Sequence, residues 1–106
     1  MIPLSTRHCA PTVAKLGPAD AAKLAGQVPG WRIEADTLVK DFSFKNYHET
    51  MAFVNMVAWI AHREDHHPDL AVGYNRCRVA FSTHSVGGLS ENDFICAARI
   101  ESALTA

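Results

Sequence analysis

Charge of one sign is the first thing this sequence lacks. Ten Lys and Arg stand against eleven Asp and Glu, a formal net charge of −1 with histidine neutral. No basic field is therefore available to hold nucleic acid through its phosphates. Cysteine is scarce: Cys9, Cys77 and Cys96 are odd in number and far apart, without the C-x-x-C spacing of a metal knuckle or the density of a disulfide scaffold. A reducing, cytoplasmic setting is expected. No run approaches the ~18 apolar residues of a membrane span, and positions 1–10 lack the charged segment and apolar stretch of a secretion signal, so no membrane partner is expected. Internal repeats and low-complexity segments are missing too. With 48% hydrophobic and 20% charged residues, the composition is that of an ordinary globular chain and not of a disordered one. Its 106 residues suit one core that needs no staples.

What is present is a series of changing periods. Residues 1–15 hold Pro3 and Pro11 and no sustained pattern, which predicts a loosely ordered N-terminal arm ahead of one domain over 16–106. Gly17-Pro18 followed by an alanine-rich stretch to Gln27 predicts a helix with Pro18 at its first position, stopped by Pro29-Gly30. From Trp31 apolar residues alternate, Trp31, Ile33 and Ala35 and then Leu38, Phe42 and Phe44, around a break at Asp36-Thr37; this is a hairpin pattern. Asn46 and Glu49 have capping-box spacing, and from Tyr47 the period turns helical. Tyr47, Met51, Val54, Val57, Ala58 and Ala61 are the expected buried stripe, with Trp59 on the far side.

That helix must end before Pro68, because the residue ahead of a proline is pushed out of the helical region. His66 and His67 are thus expected at a helix end. Leu70 to Tyr74 and Arg76 to His84 read as strands, Gly87-Gly88 as a loop, and Ser90 as the opening of a last helix. The order α-β-β-α-β-β-α predicts an α+β fold, a four-stranded antiparallel sheet with three helices packed on one face.

Of the six histidines, His62, His66, His67 and His84 fall between positions 62 and 84. An unperturbed pKa of about 6.5 lets histidine give and take protons near neutrality, so several around one pocket suit general acid and base work. A metal is the competing use, since His62 and His66 are four apart on an expected helix. However, Arg63 stands where H-E-x-x-H needs Glu, and Asp65 where H-x-x-E-H needs Glu. No metal site is expected.

The segment His62-Arg63-Glu64-Asp65-His66-His67-Pro68, followed by Tyr74, Ser82-Thr83-His84, Gly87-Gly88-Leu89-Ser90 and Asp93, resembles the pterin-4a-carbinolamine dehydratases. With Pro29-Gly30-Trp31, the likeness covers about residues 16–104. It implies removal of water from 4a-hydroxytetrahydropterins to give the quinonoid dihydropterin, in recycling for aromatic amino acid hydroxylases, with no metal or organic cofactor. Carried over by position, His66, His67 and His84 become the catalytic histidines. His67 would transfer a proton to the 4a-hydroxyl, while His66 and His84 bind the ring and share the acid-base work. His62, Asp65, Pro68, Ser82, Thr83 and Asp93 are expected around the substrate. The resemblance also implies a homodimer or homotetramer. Two positions depart from the family: His62 stands where members often carry an acid, and Leu70 where animal members carry an aromatic residue.

Plainer readings remain beside these. His66 and His67 could serve as cations at the negative end of a helix dipole, and Ser90-x-x-Asp93 has the shape of a capping box. Trp59 and Met56 are either scattered surface apolars or a subunit contact, and Cys77 and Cys96 are expected as small core residues. The alternative to an enzyme is a non-catalytic binding, coactivator or assembly protein on the same fold.

Overall fold

The breaks in pattern along the chain become the joints of the fold in a computed structural model, which describes residues 2–105. The elements are α1 (Pro18–Ala25), β1 (Arg32–Glu34), β2 (Thr37–Ser43), α2 (Tyr47–Glu64), β3 (Asp69–Val72), β4 (Arg76–Phe81) and α3 (Glu91–Thr105). All strand pairings are antiparallel, in the order β1-β2-β4-β3. This is the expected α+β arrangement.

Pairing of Glu34 with Thr37 closes the hairpin around Ala35 and Asp36, one residue earlier than expected, with Ala35 at φ 54°. In β2 and β4 the register sets Leu38 against Phe81 and Phe42 against Cys77. These side chains, with Val79, form the buried floor under the helices. Trp31 closes one end of that floor, its ring edge-on to Phe42 at 5.9 Å. Its Nε1 donates to Glu101, which also accepts from Lys40 Nζ. The other face of the sheet buries Val39 but is otherwise largely exposed, and carries the cross-strand ion pairs Arg32–Asp41 and Arg78–Glu34, which at such exposure contribute little.

Asn46 Oδ1 accepts from the Glu49 amide at 2.9 Å and starts α2, while Glu49 reaches the Lys45 amide and not that of Asn46. The buried stripe of α2 is Thr50, Phe53, Val57, Ala61 and Glu64. Val57 and Ala61 are buried as expected, but the face is rotated toward Thr50, Phe53 and Glu64, leaving Tyr47 half exposed and Ala58 exposed. The reason is polar satisfaction. Thr50 Oγ1 donates to a backbone carbonyl, with those of Asn46 and Tyr74 both 2.9 Å away, so a polar residue can occupy the buried face at no net loss.

The N-terminal residues, expected as a loose arm, instead lie as a strap across α3. Leu4 is buried in a 3-10 turn at Leu4–Thr6. Arg99 Nε donates to the Arg7 carbonyl at 2.8 Å, and Ala10 and Asn92 exchange two hydrogen bonds at 3.0 and 2.9 Å. Covered by the sheet on one side and the strap on the other, α3 is buried on nearly every side from Asn92 to Ala98, its polar members Asn92 and Asp93 hydrogen-bonded where they are buried.

Candidate active site

The site begins where α2 stops. Asp65 takes the left-handed conformation, φ 52° and ψ 43°. The His66 amide donates to the Ala61 carbonyl at 3.1 Å and the Asp65 amide to the His62 carbonyl at 3.3 Å, the paired bonds of a Schellman end. This turn takes His66 off the helix, so His62 and His66 do not share a helical face. Among the described residues no three His, Cys, Asp or Glu side chains gather in a way that would hold a metal ion.

Once off the helix, His66 turns inward. Its ring lies parallel to that of Phe81, 8° between planes at 5.9 Å, and its Nε2 is 2.6 Å from Asp93 Oδ1. Asp93 is fully buried and the His66 side chain 11% exposed. A carboxylate accepts only, so Nε2 carries the hydrogen of this bond and Nδ1 is left for other work. The second oxygen, Oδ2, accepts from Thr83 Oγ1 and from the Ser90 amide, both at 2.9 Å. With the Thr83 proton so used, Ser90 Oγ donates to Thr83 Oγ1 at 2.7 Å, and the Asn92 amide donates to Ser90 Oγ. A buried carboxylate is costly unless its lone pairs are met; here both oxygens are. The capping-box reading of Asp93 holds for one oxygen, and the other orients His66.

In front of this pair is an open cavity of about 380 Å³ whose lining includes His62, Asp65, His66, His67, Pro68 and Leu70. That size falls within the range of small-molecule sites. His67 and His62 are exposed. Thr83 and Asp93 lie behind the wall, through their bonds to each other and to His66. Ser82 and His84 do not line the cavity. Ser82 alternates away from the buried Phe81 and Thr83, while His84 is exposed and opens a 3-10 turn, His84–Val86, that Gly87 closes at φ 65°. Tyr74 is exposed and stacks on Tyr47.

Glu64 reads from sequence as part of a solvated helix face, and the structure instead buries it. Glu64, its side chain 3% exposed, accepts from the Cys9 amide at 2.7 Å, with His8 Nδ1 at 3.0 Å and Arg99 Nε at 3.4 Å. Burial pushes its carboxyl up, but the Cys9 amide, His8 and Arg99 together outweigh it and hold the group below the ordinary carboxylate value. The available signal was its place three residues after Ala61 on the buried stripe.

A model of the pterin 4 alpha carbinolamine dehydratase family matches residues 14–103. A Nitrosospira multiformis protein, provisionally named pterin-4-alpha-carbinolamine dehydratase, is 55% identical over 101 residues, 92% of this chain and 89% of that one. One from Stenotrophomonas maltophilia with the same provisional name is 59% identical over 110 residues, 99% of this chain and 94% of that one. Among solved structures, a transcriptional coactivator/pterin dehydratase from Brucella melitensis superposes with a TM-score of 0.79 at 27% identity, over 83% of this chain and 96% of that one. A pterin dehydratase-like protein identified as a RuBisCO assembly factor in the alpha-carboxysome shares the fold, with a TM-score of 0.56 at 23% identity over 68% of this chain and 83% of that one. The architecture is thus the α+β pterin dehydratase fold. The chain belongs to the pterin-4a-carbinolamine dehydratase family.

Proposed function

We propose that this chain removes water from 4a-hydroxytetrahydropterins, giving the quinonoid dihydropterin, by histidine acid-base catalysis without a metal or organic cofactor. The observation that carries this reading is the buried Asp93–His66 pair at 2.6 Å, set in the wall of a histidine-lined cavity. Elimination breaks the bond from C4a to its hydroxyl oxygen, and that oxygen must receive a proton to leave as water. His67, exposed at the cavity, is the acid. A ring N–H proton of the pterin then passes to a base, so the protein's proton count is unchanged, and proton exchange with solvent restores each group. His66, held by Asp93, presents Nδ1 to the ring. His62, Asp65 and Pro68, which share the cavity lining, complete the surroundings. The pterin meets Leu70 in place of an aromatic residue.

On the same reading the chain works in the cytoplasm as a homodimer or homotetramer, on product supplied by an aromatic amino acid hydroxylase. The test is to generate 4a-hydroxytetrahydropterin continuously with such a hydroxylase and follow its steady-state level by ultraviolet absorbance. The chain should lower that level at catalytic concentration, with chelator present or absent. A level unchanged by folded protein would favour a binding role, the kind that the names of the coactivator and assembly-factor neighbours carry.

A further inference from the structure

Two thiols 87 positions apart in sequence meet in the fold. Cys9 Sγ and Cys96 Sγ lie 3.5 Å apart, and both are free. Cys96 is fully buried on α3, its sulfur 3.8 Å from the His66 carbonyl, while Cys9 is half-buried on the strap with its sulfur 3.5 Å from the Asn92 carbonyl. Cys77 is buried on β4, and no third thiol shares the contact among the described residues. The two sulfurs are not equivalent. The hydrogen bond with Cys9 and then burial push the Cys96 thiol far above its ordinary range, so the partly exposed Cys9 is the one an oxidant meets first. Disulfide sulfurs sit about 2.05 Å apart, and closing that gap asks for a movement of about 1.5 Å. Residues 7–15 belong to no helix or strand and can supply it.

We propose that Cys9 and Cys96 form a peroxide-responsive modification site, in which an intramolecular disulfide fixes the N-terminal strap across α3. In the first step the Cys9 thiolate sulfur attacks one oxygen of hydrogen peroxide. The O–O bond breaks, leaving a sulfenic acid on Cys9 and a hydroxide that takes up a proton as water. Next the Cys96 sulfur attacks the Cys9 sulfur and the S–O bond breaks. The departing hydroxide takes the Cys96 proton and leaves as the second water. Two thiols lose two electrons and one peroxide becomes two waters. The strap also holds Glu64 and Asn92, the neighbours of Asp65 and Asp93, through Cys9 and Ala10. The crosslink therefore clamps the ends of α2 and α3 that carry the site.

Treating the full chain with a few equivalents of hydrogen peroxide should remove two hydrogen atoms from its intact mass. Peptide mapping should then give a Cys9–Cys96 crosslink with Cys77 free. Closing so long a loop should raise Tm by on the order of 10 °C, and dithiothreitol should reverse both changes. Cys9→Ser should keep the reduced Tm near that of the parent and abolish both the mass loss and the Tm rise. Oxygen added to Cys9 without a crosslink, dimers joined through Cys9, or a crosslink that lowers Tm would each overturn the proposal. None of these readouts depends on the enzymatic reading.

Discussion

Each oxygen of the Asp93 carboxylate has its own partners: Oδ2 holds the Thr83 hydroxyl and the Ser90 amide, and Oδ1 holds His66 Nε2. Exchange for an amide puts an NH2 group opposite one set of donors, and a buried donor left unpaired costs about 1–3 kcal/mol. Asp93→Asn should therefore lose about that much stability in urea denaturation, and its kcat should fall because His66 loses its orienting acceptor. The His67 side chain makes no hydrogen bond or ion pair among the described residues. His67→Ala should leave the denaturation midpoint unchanged while kcat drops roughly 10²- to 10⁴-fold. Half of the Asp93 arrangement was legible in sequence, since Ser90-x-x-Asp93 is local. The other half was not, because His66 is 27 positions away and its approach depends on the left-handed turn at Asp65, for which no local pattern gave warning.

At the scale of elements, the end of α2 carries two separable loads. Asp65 holds the left-handed turn that swings His66 inward, and a β-branched side chain tolerates that conformation poorly. Asp65→Val should cost about 1–2 kcal/mol and weaken turnover together with stability. Glu64 ties α2 to the strap, and its folded carboxyl lies below the ordinary value. Its contribution is thus fully present above the unfolded carboxylate pKa, about 4.3, and is lost as pH falls through the folded value. Glu64→Gln should lower stability at pH 7 by about 1–3 kcal/mol and flatten the acid limb of a stability-pH profile measured by urea titration. Apolar periodicity placed α2 and its buried Val57 and Ala61 but misjudged the rest of the face it buries. Thr50 and Glu64, polar by type, belong to the core because their partners come from Tyr74 and the strap, distant segments that a helical wheel does not include.

For the molecule as a whole, the element order and sheet class were legible because prolines, glycines and changes of period mark nearly every joint. The strap was not. Pro3, Pro11 and a lack of period describe any irregular segment, and only the docked position of Leu4 and Cys9 against α3 shows that this one completes the core. Leu4→Ala should accordingly cost about 2 kcal/mol or more, where a loose arm would register almost nothing in thermal or urea unfolding. Folded in this way, the chain sets His67 at an open cavity and His66 on a buried carboxylate, the pair that dehydrates a pterin in the function proposed above. The most direct test mixes freshly made 4a-hydroxytetrahydropterin with the protein and follows its decay by ultraviolet absorbance, with His67→Ala alongside. Saturable acceleration by the parent chain, lost in a variant of unchanged circular dichroism, is the expected result. Decay no faster than in buffer, or equal acceleration by both proteins, would contradict it.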